Sequence, residues 1–309
     1  MFIFEKAPFA SCHASTIVEV DSGRFVAAWF GGKDEGAADV KIWSSRFDGK
    51  SWTAPAVVAE EAGFPCWNPV LFKSKSGTLF LFYKAGKSPM TWTGFVRRST
   101  DNAANWGKVE PLTAGLLGPI KNKPIQRADG TILAPTSVES HRAWACWIER
   151  SNDDCKTWKK FGPIAVPGHP YGIIQPTLFE RKDGSILALC RSRGLGAIVQ
   201  SESKDNGENW TAASKTDLPN PGSGIDGVRA ANGDYYLVYN HTKSGRSPLN
   251  LGQSTDEGKT WKIVATLEDQ PGEYSYPAII QGSDGKLHVT YTHLRTHIKY
   301  LTFDPAEFK

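Results

Sequence analysis

Several common signals are missing from this 309-residue chain. Its five cysteines (Cys12, Cys66, Cys146, Cys155 and Cys190) make an odd count with no C-x-x-C pair. That argues against a disulfide framework and a zinc or redox motif, and reads as buried reduced thiols. No run of Lys or Arg appears, and a formal net charge of +4 is mild, so no nucleic-acid partner is expected. No apolar run is long enough to span a membrane, and the opening MFIFEK is too short and too charged for a signal peptide. The expectation is a cytoplasmic protein with no membrane partner; the alternative is a secreted one whose leader has been removed. The seven histidines form no H-E-x-x-H, and His293 and His297, four apart within a strand, should stand too far apart to act as a pair. No Gly-rich loop joins a strand to a helix. Neither a metal nor a cofactor is expected. Helical periodicity is nearly absent too.

What is present is repetition. STDNAANW, SNDDCKTW, SKDNGENW and STDEGKTW end at Trp106, Trp158, Trp210 and Trp261, at steps of 52, 52 and 51 residues. A shortened copy, SSRFDGKSW, ends at Trp52. A second series, Gly23, Gly77, Gly130, Gly184, Gly233 and Gly285, keeps nearly the same period, and each glycine is flanked by runs such as STIVEV/RFVAAWF or PTLFE/SILALC. These are hairpins whose glycines supply the positive φ of a tight turn. A period near fifty with four strands per unit predicts an all-β protein. The specific expectation is a six-bladed β-propeller of four-stranded antiparallel blades, occupying residues 1–309 as a single domain. The sixth unit lacks a boxed Trp, and the leading FIFEKA is available to pair into it.

The box itself reads as structural. Ser and Asp in a tight turn bond nearby backbone N–H groups, and the Trp packs on the blade. One active site does not need four equivalent aspartates, so Asp101, Asp153, Asp205 and Asp256 are assigned to the fold.

In a propeller the first strand of each blade begins near the axis, and ligands bind at the mouth of the channel. The residues nine to ten before each turn glycine are therefore the candidates. They are His13, Trp67–Asn68, Lys121–Asn122–Lys123, Gln175, Asp226, which lies later in its strand, and Tyr274 or Tyr276. Strand ends and loops on the same face add Asp34, Glu35, Tyr83, Lys84, Glu139, Arg191, Arg193, His241, Arg246, His293 and Arg295. Trp67 and Trp92 could stack on sugar rings, although core is the ordinary role of Trp.

S-x-D-x-G-x-T-W, best matched by STDEGKTW, resembles the Asp-box or bacterial neuraminidase repeat, and the resemblance to sialidase-like proteins covers essentially the whole chain. It implies the six-bladed propeller. It also implies a three-arginine clamp on a substrate carboxylate, a Tyr nucleophile activated by Glu, and an Asp acid/base. A planar guanidinium binds a carboxylate bidentately, and an acid must protonate the leaving oxygen. By this resemblance Arg246, eight before the box Ser254, is the third clamp arginine; Tyr274 or Tyr276 is the nucleophile; and Asp34, with Glu35 or Asp39 possible, is the acid/base. Four positions depart from the pattern. His13 stands where the first arginine should be, further arginine positions fall near Gly32 and Ala197, and Gln175 replaces the activating glutamate.

Three readings result. One is an exo-acting glycoside hydrolase on a terminal anionic sugar, not a standard sialidase because the clamp is incomplete; Asp34, Tyr274, Tyr276 and His13 would carry the chemistry. Arg246, Asn68, Lys121, Lys123, Gln175, Arg191, Asp226, His241 and Arg295 would hold the oligosaccharide or glycoside. The second is a polysaccharide lyase on a uronic acid, with a His or Tyr base and Arg or Lys neutralising the carboxylate. The third is a non-catalytic sugar-binding propeller.

Overall fold

The computed structural model describes residues 1–308. Its fold is the six-bladed β-propeller, and five of the sheets run in simple antiparallel order with four strands each. Blade 1 is β1 (Ser11–Asp21), β2 (Arg24–Gly32), β3 (Lys41–Phe47) and β4 (Ala56–Ala59). Blade 2 is β5 (Cys66–Lys73), β6 (Leu79–Ala85), β7 (Thr93–Ser99) and β8 (Glu110–Pro111). Blade 3 is β9 (Ile125–Gln126), β10 (Ile132–Glu139), β11 (Trp144–Ser151) and β12 (Lys159–Ile164). Blade 4 is β13 (Ile173–Glu180), β14 (Ile186–Ser192), β15 (Ala197–Ser203) and β16 (Ser214–Pro219). Blade 5 is β17 (Asp226–Arg229), β18 (Tyr235–Tyr239), β19 (Leu249–Ser254) and β20 (Lys262–Glu268). Blade 6 is β21 (Tyr274–Gln281), β22 (Leu287–His293) and β23 (His297–Phe303).

The fourth strand of blade 6 comes from the other end of the chain. Ile3 donates its N–H to the Ile298 carbonyl at 2.9 Å, Tyr300 donates to the Met1 carbonyl at 2.9 Å, and Phe2 bridges Lys299. Ile3 and Phe4 are buried with Trp29 and Ile298. The leading segment thus covers an edge that would otherwise expose unpaired backbone.

The chain forms two compact units, Met1–Lys123 with Tyr276–Lys309, and Pro124–Ser275. In the first, β1 packs against β5 on one side and β22 on the other. In the second, β13 packs against both β10 and β17. Within each unit a hydroxyl ties one inner strand to the next. Thr16 Oγ1 accepts the Leu71 N–H at 3.1 Å, and Thr177 Oγ1 accepts the Gly227 N–H at 3.1 Å.

All six hairpin glycines have the left-handed backbone expected of them, with φ from 68° at Gly23 to 94° at Gly233. The four full boxes share one geometry. In the first, Ser99 Oγ donates to Asp101 Oδ1 at 2.7 Å and accepts the Ala103 N–H at 3.0 Å; Asp101 in turn accepts the Asn105 N–H at 2.9 Å. Ser151–Asp153, Ser203–Asp205 and Ser254–Asp256 repeat the first bond at 2.8–2.9 Å. The backbone N–H of Asn105, its side-chain amide and the Ser99 hydroxyl hold the Asp101 carboxyl down at about 2. Trp106, Trp210 and Trp261 pack beside the blade cores. The shortened copy differs: Asp48 Oδ1 caps the N–H groups of Lys50 and Ser51 at 2.8 and 2.9 Å, and Trp52 packs edge-on to Tyr300 at 5.3 Å.

All five cysteines are free and buried. Cys146 Sγ donates a hydrogen bond to Cys190 Sγ at 3.8 Å with no disulfide between them, and burial pushes the Cys12 and Cys66 thiols up to about 12. No helix among the described residues is long and apolar enough to cross a membrane.

Candidate functional site

Strand register fixes which residues meet at the leading end of each blade. In β1–β2, His13 is opposite Phe30; in β13–β14, Ile173 is opposite Ser192. The start of each inner strand therefore lies beside the end of the second strand and the loop that follows.

The leading ends also carry unusual backbone. Ala14 (φ 61°), Asn68 (φ 37°), Gln175 (φ 55°) and Tyr276 (φ 51°) are left-handed non-glycine residues near the starts of β1, β5, β13 and β21. Register shifts mark bulges there between His13 and Thr16, Trp67 and Val70, and Ile174 and Thr177. A bulge re-aims the side chains around it, and left-handed backbone at non-glycine residues costs about 1–3 kcal/mol each. Three of these residues, Asn68, Gln175 and Tyr276, are positions singled out from spacing alone. The bulges themselves have no signal in the sequence, because hydrophobic alternation does not report a single inserted residue.

In the first unit the leading ends form a string of rings. The Tyr276 ring lies 4.1 Å from the His13 imidazole, His13 lies 5.7 Å from Phe30, Phe30 lies 6.0 Å from Trp67, and Trp67 lies 5.7 Å from Trp92. His13 is 1% exposed and Tyr276 9%. His13 Nδ1 shares a 2.9 Å hydrogen bond with Thr292 Oγ1, which also accepts the Ala14 N–H at 3.2 Å. Thr292 is therefore a positioning residue that spacing did not reveal. Trp67 donates its indole N–H to the Gly86 carbonyl at 2.8 Å.

Asp34 sits in the exposed loop after β2, where its Oδ1 accepts the Glu35 N–H at 2.8 Å. Gly36 brings this loop against Trp67, since a Cβ there would stand 3.4 Å from Trp67 Cη2. Glu35 is tied to Arg295 at 2.5 Å, which joins the loop to the left-handed turn before β23. Asp39 accepts the Lys33 N–H at 2.9 Å.

Two lysines in this unit serve backbone carbonyls. Lys121, 3% exposed, donates its ammonium to the Pro277 carbonyl, the residue after Tyr276. Lys84 is fully buried and donates to the carbonyls of Asn68, Pro119 and Ile120. An ammonium taken out of water requires such acceptors. Lys123 follows half-buried.

One sequence expectation is corrected here. His293 and His297 do not stand apart in a strand; they are paired directly across the β22–β23 turn, and the Phe2 ring lies 5.1 and 4.8 Å from them. The run HLRTH contains a tight turn, with Leu294 and Arg295 both left-handed, rather than four residues of continuous strand. Among the described residues no group of three or more His, Cys, Asp or Glu side chains is placed to hold a metal ion.

In the second unit Arg246 is the centre of a compact polar group. Its Nη1 donates to Glu273 Oε1 at 2.6 Å and to Ser275 Oγ at 3.2 Å, and Ser275 Oγ donates to the same Glu273 oxygen at 3.2 Å. The backbones are bridged as well, the Tyr274 N–H donating to the Arg246 carbonyl at 3.0 Å. Asn240 donates its amide to the carbonyls of Tyr274 and Pro248. Glu273 was missed from sequence; its signal was an acidic residue directly ahead of the Tyr-Ser-Tyr run. Tyr274 is 4% exposed.

The other candidates in this unit occupy separate places. Gln175 Oε1 accepts from Arg191 Nη1 at 3.2 Å, so a neutral amide faces the guanidinium. Asp226, 2% exposed, accepts from Thr177 Oγ1 at 3.3 Å. His241 is exposed, with Nδ1 2.6 Å from the Tyr239 hydroxyl. Arg193 turns away from the inner strand onto the rings of Trp144 and Tyr171.

A family profile, that of the BNR repeat-like domain, matches residues 23–289. The chain belongs to the BNR repeat-like family. Solved structures of the same fold include a protein of unknown function from Dyadobacter fermentans, 19% identical, with a TM-score of 0.80 over 97% of this chain and 96% of that one. The intramolecular trans-sialidase of Ruminococcus gnavus is 14% identical, with a TM-score of 0.80 over 100% of this chain and 97% of that one. The NanB sialidase of Streptococcus pneumoniae is 13% identical, with a TM-score of 0.82 over 100% of this chain and 71% of that one. At these identities the likeness is one of fold. No curated protein matches the sequence.

Proposed function

We propose that this BNR-repeat chain is an exo-acting glycoside hydrolase of the sialidase-like type, acting on a terminal carboxylated sugar. The observation that carries the reading is the anchoring of Arg246 by Glu273 and Ser275. A guanidinium held by Glu273 and Ser275 at 27% side-chain exposure is oriented before a substrate carboxylate arrives. One charge-assisted hydrogen bond contributes about 1.5–3 kcal/mol, so an arginine of this kind decides whether a carboxylated sugar is retained.

In this reading Asp34 protonates the leaving oxygen, from a loop placed by Glu35–Arg295 and by the packing of Gly36 on Trp67. Tyr276 is the nucleophile or a positioning group, with Tyr274 as its competitor on the same strand. His13 replaces the arginine of the sialidase pattern, and its ring contact with Tyr276 supports a role as the group that takes the phenol proton. Gln175 cannot do so, since an amide is no base, and its carbonyl oxygen already receives the Arg191 guanidinium. Within the first unit, Asn68, Lys121, Lys123 and Arg295 line or support the substrate region in this proposal.

The His13–Tyr276 contact also favours a second reading. The pair would remove the proton α to a uronic carboxylate while a cation such as Lys123 of the same unit neutralises the developing charge, and the glycosidic C–O bond would break by elimination. Mass-resolved products from sialosides, glucuronides and rhamno-glucuronides separate the two, because hydrolysis adds one water to the summed fragments and elimination adds none. Asp34→Ala should abolish turnover with the thermal midpoint preserved; an unaffected rate would remove the acid/base assignment.

A further inference from the structure

The loop after β14 carries an arginine that the proposed chemistry does not use. The Arg193 guanidinium lies 4.9 Å from the Trp144 ring centroid and 5.0 Å from that of Tyr171. The two rings stand edge to face, with centroids 6.4 Å apart and planes at 82°. Arg193 makes no side-chain hydrogen bond and no ion pair within the described residues. All of its in-plane N–H donors are therefore unsatisfied by protein, on a residue that is itself exposed.

The surroundings are rigid. Trp144 and Tyr171 form a β-bridge, the Trp144 N–H donates to the Pro170 carbonyl at 2.7 Å, and the Tyr171 hydroxyl donates to the His141 carbonyl at 2.9 Å. The Arg193 N–H donates to the Gly172 carbonyl at 3.1 Å, and Leu195, 9% exposed, anchors the same loop in the core of blades 3 and 4. The neighbouring turns add His141, Arg142 and His169 to the exposed face, while the one carboxylate close by, Glu139, sits half-buried at the end of β10 opposite Trp144. A guanidinium stacked on two rings is fixed in orientation while its donor edge stays open. Tyr171, 36% exposed, offers beside it an apolar face of the kind a sugar ring packs on.

We propose that Arg193, Trp144 and Tyr171 form an anion-recognising subsite of their own, which takes the carboxylate of a second acidic residue in the same glycan. The proposal deepens the reading of the protein as acting on a carboxylated sugar, and rests on it for the class of ligand. Its consequence is specificity: glycans with consecutive acidic residues bind better than those with one. Arg191, two residues earlier in β14, is directed to Gln175 instead, so the strand end serves the inner strand and the loop after it serves this outer subsite.

Titration calorimetry on the intact protein tests this with two diacids, α2,8-linked disialic acid and digalacturonate, and their monomers. One diacid should bind at least tenfold more tightly than its monomer, and which one does so identifies the sugar. Arg193→Ala and Arg193→Lys should both lose at least tenfold for that diacid and less than twofold for the monomer, since a lysine cannot present the planar fork. Arg142→Ala, at the exposed neighbouring turn, should change neither by more than twofold. A diacid that binds wild type no better than its monomer, or an Arg193→Ala or Arg193→Lys protein with wild-type diacid affinity, overturns the subsite. Failure of the underlying reading looks different: Arg246→Ala then leaves monomer affinity unchanged while the effect of Arg193 on the diacid persists.

Discussion

The rim and the leading ends of the blades use the same repeat in opposite ways. At the rim, Ser-x-Asp recurs four times with the same Ser–Asp hydrogen bond, at 2.7–2.9 Å. At the leading ends, the corresponding stretches carry His13, Asn68, Asn122, Gln175, Asp226 (later in its strand) and Tyr276, no two blades of one unit sharing a residue except for the asparagines. Both regions hold left-handed non-glycine backbone, for example Asn102 and Glu257 at the rim and Gln175 and Tyr276 at the bulges. The rim surrounds it with local hydrogen bonds that satisfy the turn. The bulges carry large, buried, chemically different side chains. Repetition with identical side chains marks what each blade needs in order to fold, and repetition of backbone with diverging side chains marks where the blades were free to specialise.

That contrast can be broken by experiment. The largest effect is expected at the leading end. Arg246→Ala should reduce turnover of a carboxylated substrate by about a hundredfold or more, the loss of one to two charge-assisted hydrogen bonds, with little change in the thermal midpoint. A variant that unfolded instead would place Arg246 with the structural residues. At the rim the expected result is the reverse. Asp153→Ala removes the acceptor of the Ser151 hydroxyl and of both Thr157 donors, and should cost about 1–2 kcal/mol in denaturant unfolding with turnover per folded molecule unchanged. Asp153→Ala and Asp256→Ala together should be additive, as the boxes belong to different blades and share no partner.

The smallest effect is on the acid side. The folded Asp101 carboxyl is held at about 2, below its ordinary value of 3.8, so its contribution is present above that ordinary value and is lost as pH falls towards 2. The thermal midpoint should therefore decline between about pH 4 and 2. Asp101→Asn should flatten that decline, and an unchanged slope would show that the box carboxylates titrate alike in folded and unfolded chains.

The strands were legible because their signals are local. Six hairpin glycines with positive φ, alternating apolar runs and the boxed Trp positions each occupy a few consecutive residues, so blade count and strand order followed from spacing. The N-terminal strand of blade 6 was legible as an unpaired β-prone segment. The candidate site was legible only as a set of positions. Arg246 and the Tyr274/Tyr276 pair were named from their positions and given roles by the resemblance, but Glu273 and Thr292, which hold Arg246 and His13, were not named. His293 and His297 were misjudged because a three-residue turn without glycine gives little warning of itself.

The amino-acid order by itself determined the number of blades, the pairing within each hairpin and the rim turns, since all of these depend on neighbours in the chain and on the two-residue period of a strand. Tertiary structure alone decided which side chains meet. His13 reaches Tyr276 and Glu35 reaches Arg295 across separations of more than 250 residues. Such contacts depend on how whole blades pack and on bulges that turn one residue out of register, and neither leaves a periodic trace in the sequence.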